Sequence, residues 1–280
     1  VLITFGLIGE WSAWTVVSDK ELPISSLFIV DKGGDMPEGP SIRILRDETQ
    51  FLVGKTIQSA QGNTKLDLSR LQGAKILSIR SWGKQLIIQL PDFAVRIHLL
   101  MFGSYKINER KETPPRLSLG FADKDELNFY ACSVKFLEGD AQALYDWSAD
   151  VMSDTWNAAA ARKKLREQKQ LLACDALLNQ DIFAGVGNII KNEVLFRIKV
   201  HPLSLVNALP AARLRALVEQ ARVYSFEFLE WKKAYVLRKH WLVHNRKDCP
   251  RCKIPLVKAY LGKTQRRSFL CERCQKLYGE

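Results

Sequence analysis

Four cysteines near the end of the chain carry the strongest local signal. Cys249-x-x-Cys252 is followed, after eighteen residues, by Cys271-x-x-Cys274. This is zinc spacing. Each C-x-x-C turn aims two thiolates at one ion, and four thiolates close a tetrahedron with no open position, so the expected site is structural. A segment of about 30 residues cannot build its own core, so the ion would supply the folding energy. His244 is a conceivable ligand, but four cysteines already complete the set. Free thiols or a redox pair are the plain alternative. The intervening "KIPLVKAYLGKTQRRSFL" reads as a hairpin, with "KAYL" and "RSFL" as strands and "GKTQ" as the turn. Arg266 and Arg267 then stand at its tip or shoulder, where a planar guanidinium can grip phosphate with two donors. A solvated basic hairpin is the bland reading.

Three more stretches could do chemistry. "AGVGNII" (184–190) is a Gly-x-Gly-Asn turn opening a helix. It is too short for a dinucleotide fingerprint. It could offer Gly187, other backbone N–H groups and the Asn188 amide to one phosphate, or simply join two helices. Lys84 follows the turn "SWGK" between two expected strands, where a lysine is usually solvated. Leu100, Met101 and Phe102 in "HLLMFG" are either core or a wedge able to fill the hole left by an extruded base. Finally, "DMPEGPSI" (35–42) reads like the start of a protein, placed inside the chain. Pro37 is either an internal turn residue or a terminal secondary amine.

The elements that must position these residues change character along the chain. From Pro40 and Ser41 a helix is expected, with Ile42, Leu45 and Leu52 as its stripe and Gly54 as its stop. Alternation then predicts strands at "AKILSIR", "KQLIIQL", "AVRIHLLM" and "ELNFYACSVKF", with turns at Trp82-Gly83, Pro91-Asp92 and Lys124-Asp125. Strands without intervening helices suggest an antiparallel sandwich or barrel. From Ser153, "SDTWNAAAARKKLREQKQLLACDALLNQ" reads as helical, and residues 209–231 form a second long amphipathic helix with Pro210 in its first turn. The expected fold class is α+β multidomain. It has a β-sandwich with a leading helix over 36–150, a helical domain over 151–245 and a metal-bound hairpin over 246–280.

The net charge of +12 and a pI near 9.4 favour a polyanionic partner. Residues 1–35 carry −3, so +15 lies downstream of them. No apolar run approaches the roughly 18 residues of a membrane span. The opening residues lack the basic n-region of a signal peptide. A soluble, cytoplasmic protein is expected, with its cysteines reduced. Cys132 and Cys174 are expected to be buried.

Five elements in order resemble the formamidopyrimidine-DNA glycosylase and endonuclease VIII family of DNA repair enzymes. They are M-P-E-G-P at 36–40, Gly83-Lys84, H-x-x-M-x-G at 98–103, N-Q-D-x-x-x-G-V-G-N at 179–188, and the cysteine finger. The resemblance spans residues 36–280. It implies a β-sandwich, a helix–two-turn–helix domain, a zinc finger binding one structural ion, and a cleft for damaged DNA. It assigns Pro37 as the amine that attacks C1′ and forms an iminium, and Glu38 as the acid that assists sugar opening. Lys84, Asn188 and one finger arginine, Arg266 ahead of Arg267, would hold phosphates around a flipped nucleotide. Leu100, Met101 and Phe102 would be the wedge.

P-E-G-P and the contiguous wedge resemble the endonuclease VIII branch, which implies oxidised pyrimidines as substrates, removed with β,δ-elimination. No "R-R-F-G"-like loop is present; "NFYACSVKF" occupies that region. Ser41 departs from the family, which commonly has Glu there. The expected partner is DNA alone, and the expected state a monomer. The functional chain is expected to begin at Met36 and be trimmed to Pro37, with residues 1–35 a read-through extension. If they stay attached, Pro37 lies in an amide, and the alternative is a catalytically silent damaged-DNA-binding protein of the same fold. A zinc-ribbon module joined to an unrelated enzyme is a third reading.

Overall fold

A computed structural model describes residues 37–279. The expectation for residues 1–35 lies outside the described residues. Helix α1 (Gly39–Thr49) opens with Pro40 in its first turn and buries Ile42 and Leu45. A single 3-10 turn (Gln50–Leu52) then leads into Gly54, whose φ of +87° ends the element.

Ten strands follow. They are β1 (Ser59–Gln61), β2 (Ser78–Trp82), β3 (Gln85–Gln89), β4 (Phe93–His98), β5 (Ser104–Ile107), β6 (Leu117–Gly120), β7 (Glu126–Tyr130), β8 (Ser133–Glu138), β9 (Val257–Leu261) and β10 (Arg266–Leu270). The first eight form two antiparallel four-stranded sheets, ordered β1-β6-β7-β5 and β2-β3-β4-β8. Their inner faces share one core. Ile79, Leu86, Ile88, Val95 and Ile97 meet Leu117, Leu119, Leu127 and Phe129, and α1 adds Ile42 and Leu45. This is the expected sandwich with its leading helix.

Two strand expectations need correction. "ELNFYACSVKF" is not one strand. Ala131 takes φ +48°, the chain reverses, and β7 and β8 go to different sheets. "AVRIHLLM" ends as a strand at His98. Gly103 N–H then donates to Leu99 O across a tight turn that contains Leu100 at φ +55°. The short strands β1, β5 and β6 were not foreseen, because three or four residues carry too little alternation.

The helical region is also more broken than its sequence suggests. α2 (Ala158–Glu167) is capped by the Asn157 side chain, which accepts from the Ala159 and Ala160 N–H groups. It ends where Gln168 leaves helical geometry at φ −104° and ψ 88°, and farther on Leu172 pairs with Leu205 as an isolated bridge. α3 (Ala173–Leu178) and α4 (Gln180–Phe183) are short. α5 (Asn188–Arg197) is buried from Asn188 to Phe196, Lys191 and Glu193 included. α6 (Ala211–Lys233) packs against α5 and α1. A second core of Leu177, Phe183, Ile190, Leu195, Leu217 and Phe228 unites these helices. Among the described residues no helix is long and apolar enough to cross a membrane.

β9 and β10 pair antiparallel as the C-terminal hairpin. α5 covers it: Lys191 Nζ donates to Ser268 Oγ at 2.8 Å, and Asn192 Oδ1 accepts from Phe269 N–H at 3.4 Å. Glu193 holds the approach to the hairpin, accepting from the N–H groups of Leu242, Val243 and His244 at 2.8–3.0 Å. Buried charges on a central helix are thus consumed in hydrogen bonds, as burial demands.

Candidate active site and nucleic-acid cleft

Glu38 occupies the N-cap position of α1 yet makes no side-chain bond there. Its carboxylate instead serves α5, 149 to 152 positions away. Oε2 accepts from Gly187 N–H at 3.0 Å and Ile190 N–H at 3.3 Å, and Oε1 accepts from Ile189 N–H at 2.7 Å. α5 has no cap of its own from Gly187, so Glu38 satisfies its orphan N–H groups. Of the two sequence readings of this turn, phosphate cradle or plain connection, the first is limited by the buried carboxylate, which already takes the Gly187, Ile189 and Ile190 N–H groups. The Asn188 amide remains: its Oδ1 is buried without a hydrogen-bond partner.

Glycines bring the segments together. Gly39 N–H donates to Gly185 O at 2.8 Å, and a Cβ on Gly39 would lie 2.8 Å from Gly185 Cα. A Cβ on Gly83 would lie 3.2 Å from Gly185 N. The α1 start, the turn before Lys84 and the turn before α5 therefore meet backbone to backbone. Asp150 fastens the same junction. It accepts from Gly83 N–H at 3.0 Å and Met152 N–H at 2.8 Å. Burial pushes its carboxyl up to about 6.

Burial raises the Glu38 carboxyl above the ordinary range, while the Lys84 charge and the three backbone donors oppose that rise. Lys84 is half-buried and held below the usual lysine range by desolvation; Glu38 opposes this and Arg266 adds to it. His98 is lowered by burial and then by Lys84. Glu38, Lys84, His98 and Arg266 thus share one electrostatic neighbourhood, from three separate parts of the chain. Pro37 adjoins it and is half-buried.

Arg266 Nη1 lies 3.9 Å from Met101 Sδ, so the finger reaches the β4–β5 turn. Arg267 points elsewhere, donating to Tyr260 Oη at 3.0 Å with its guanidinium over that ring. Leu100, Met101 and Phe102 are not core: they are 50%, 43% and 78% exposed. Three adjoining apolar side chains held in solvent by a tight turn form a protrusion beside Arg266.

The four finger cysteines are unpaired, and their sulfurs lie within 4.8 Å of one another. Cys249–Cys274 is 3.7 Å and Cys252–Cys271 is 3.4 Å. A tetrahedral ion with thiolates at about 2.3 Å requires sulfurs about 3.8 Å apart, so the donor set fits such an ion. His244 is not part of it. Its Nδ1 faces Asn192 Nδ2 at 3.3 Å, and its ring packs edge-on against Trp241 and Phe269. Cys132 and Cys174 are buried, and burial pushes both thiols up to about 11.

Several residues of this site were not singled out from sequence. Asp150, Asp175, Lys191 and Glu193 looked like ordinary helix or turn charges. One signal was available: the apolar residues of "NIIKNEVLF" leave no polar face for Lys191 and Glu193 to occupy.

Two family models match the chain. The formamidopyrimidine-DNA glycosylase N-terminal domain covers residues 36–132, and the formamidopyrimidine-DNA glycosylase H2TH domain covers 148–230. Endonuclease 8-like 3 of Xenopus laevis is 30% identical over 238 residues, which is 81% of this chain and 39% of that protein. Endonuclease 8-like 2 of Bos taurus is 31% identical over 190 residues, 62% of this chain and 56% of that protein. The chain therefore spans about two fifths of the first relative and under two thirds of the second. Among solved structures, the Lactococcus lactis formamidopyrimidine DNA glycosylase, non-covalently bound to DNA containing an AP site, superposes with a TM-score of 0.75. It is 23% identical over 85% of this chain and 99% of that one. A viral DNA glycosylase gives 0.74 at 18% identity, over 85% of this chain and all of that one. These two likenesses concern the fold.

Proposed function

This chain belongs to the formamidopyrimidine-DNA glycosylase and endonuclease VIII family, and on that premise we propose that it is a base-excision DNA glycosylase with lyase activity. The proposed substrates are oxidised bases, pyrimidines foremost, in DNA. The observation that carries the reading is the Glu38 carboxyl, buried on the α5 N-terminus beside Pro37 and Lys84.

In the proposed reaction the Pro37 nitrogen, as a free secondary amine, attacks C1′ of the flipped nucleotide. The bond from C1′ to the base breaks, and the base leaves with the electron pair, taking up the proton that the Pro37 nitrogen loses. The sugar ring then opens as Glu38 gives a proton to O4′, leaving a C1′ iminium on Pro37. That cation acidifies the C2′ proton. Its removal expels the 3′ phosphate; loss of a second proton, from C4′ of the conjugated iminium, then expels the 5′ phosphate, and water frees the enzyme. A raised carboxyl pKa suits Glu38 to the donor role, because more of it stays protonated near neutral pH. The amine must be neutral, and a free α-amine titrates near pH 8.

Lys84, Asn188 and Arg266 are proposed to hold the phosphates flanking the flipped nucleotide. The 3.9 Å approach of Arg266 to Met101, against the engagement of Arg267 with Tyr260, favours Arg266 for this role. Leu100, Met101 and Phe102 are proposed to fill the space the base vacates, which offsets unstacking worth a few kcal/mol. Zinc is the proposed ion for Cys249, Cys252, Cys271 and Cys274, where it would staple the finger and take no part in chemistry.

The chemistry requires Pro37 as the mature N-terminus. Borohydride trapping on abasic-site DNA tests this. A chain beginning at Pro37 should give a covalent adduct, and one retaining residues 1–36 should not. DNA binding without trapping by either chain would leave the silent binding protein as the function. An adduct with the chain beginning at Val1 would remove Pro37 as nucleophile.

A further inference from the structure

Arg266 follows directly on the finger's hairpin turn, Gly262-Lys263-Thr264-Gln265. That turn is held from outside the finger. Asp175, on α3 of the helical domain, is 7% exposed and aims its carboxylate into the turn. Oδ2 accepts from Lys263 N–H at 2.9 Å. Oδ1 accepts from Thr264 N–H at 3.2 Å and from Thr264 Oγ1 at 3.0 Å. Consecutive backbone N–H groups around one carboxylate form a small anion nest. Gly262 makes room for it: its φ is +73°, and a Cβ there would lie 2.5 Å from Asp175 Oδ1.

The middle of β10, beyond Arg266, is held from α5: Lys191 Nζ donates to Arg267 O and Ser268 Oγ, while Asn192 donates to Arg267 O and accepts from Phe269 N–H. A two-stranded hairpin is marginal alone, and the cysteine cluster lies at its far end from the turn. Asp175 therefore holds the turn itself, on the opposite side of Arg266 from the α5 bonds. The carboxylate does not reach the Arg266 guanidinium in any hydrogen bond; it acts on the backbone two residues before it.

We propose that Asp175 is a positioning residue for DNA-backbone recognition: by cradling the hairpin turn it sets the direction in which Arg266 meets a phosphate. This rests on the DNA-binding reading above. A held guanidinium loses less freedom on engaging phosphate than one on a swinging hairpin, so the effect belongs to affinity.

The test is a double-mutant cycle on the chain beginning at Pro37, with a duplex carrying a tetrahydrofuran abasic analogue. Binding is measured over a salt series. Arg266→Ala should weaken binding about tenfold and lower the salt slope by about one, the loss of one charge-assisted phosphate contact. Asp175→Ala should do nearly the same. In the Arg266→Ala background it should add little. Hydrogen exchange at the Lys263 and Thr264 amides should quicken in Asp175→Ala, with metal content unchanged.

Asp175→Ala binding like the parent overturns the proposal, as does an equal loss with or without Arg266. If Asp175→Ala does not fold, Thr264→Val removes one of the three bonds, and the same non-additivity is required of it. A parent protein that fails to bind the duplex at all sinks the DNA-binding reading instead. The amide exchange then still reports whether Asp175 holds the turn.

Discussion

The Glu38 carboxyl fills the space that a side chain on Gly187 would need. A Cβ on Gly187 would lie 2.4 Å from the Glu38 carboxyl carbon and 2.6 Å from its Oε1. The Gly187 backbone has φ −124°, open to any residue, so the glycine is required by contact and not by conformation. Gly187→Ala should evict Glu38 from the α5 N-terminus. Single-turnover base excision should fall by about a hundredfold or more, with abasic-analogue affinity little changed. Loss of affinity to the same degree would mean the cleft itself had come apart.

Lys84→Ala should separate chemistry from stability. Lys84 is half-buried, no side-chain hydrogen bond holds it among the described residues, and it feels the charges of Glu38 and Arg266. The melting temperature should move by only a few degrees, the scale of about 1 kcal/mol. Excision and DNA affinity should drop well beyond that. A full-rate variant would return Lys84 to the status of a solvated turn lysine.

Replacing Leu100, Met101 and Phe102 together by alanine should leave thermal stability essentially intact, because all three are exposed. Base extrusion should slow, read as a weaker 2-aminopurine signal beside the lesion. Excision from a duplex should suffer more than strand cleavage at a ready-made abasic site, where there is no base to extrude. Equal effects on the two substrates would argue against a wedge.

His244 gives the fold an acid-sensitive seam. Burial, then Lys191 and Arg267, lower its pKa from 6.5 to about 4. The folded ring stays neutral while the unfolded ring takes up a proton between those values. The contribution of His244 is therefore present above pH 6.5 and is lost as pH falls toward about 4. His244→Gln removes the titration. Its melting temperature, compared with the parent at each pH, should close the gap on acidification. A constant gap from pH 7 to 4 would contradict this.

Chelation of the finger metal should abolish DNA binding and loosen the hairpin, while the sandwich core retains its near-ultraviolet signature. Cys249, Phe269 and Cys271 pack on Phe196 and Val243, a cluster of five buried residues that is too small to be a core of its own. Unchanged affinity in metal-free protein would refute a structural ion.

The sequence made the periodic elements legible. The α1 stripe, β2 to β4, α6 and the finger hairpin could each be read from spacing, and the C-x-x-C pairs from ligand chemistry. Residues 153–180 misled because "AAAARKKLREQKQLLACDALL" has helical propensity throughout, whereas the chain leaves helical geometry at Gln168 and then pairs Leu172 with Leu205, a contact no local pattern contains. "ELNFYACSVKF" misled for the converse reason: alternation survives the reversal at Ala131. For the site, residue identities at Glu38, Lys84 and Asn188 could be singled out, but not the bonds from the α5 N–H groups to the Glu38 carboxylate. That Glu38 caps a helix 149 positions away follows only from the packing of three glycine-bearing segments.

Those three segments have a consequence for timing. Gly39, Gly83 and Gly185 meet without intervening side chains, and Glu38 completes α5 only once they have met. Contacts of such sequence separation form late, because loop closure must precede any gain from them. A chain with its sandwich folded and its helices still undocked would hold Pro37 and Lys84 but no seated Glu38. The sequence separation thus acts as an interlock: the chemistry proposed for Pro37 and Glu38 becomes available only after both halves of the protein are finished.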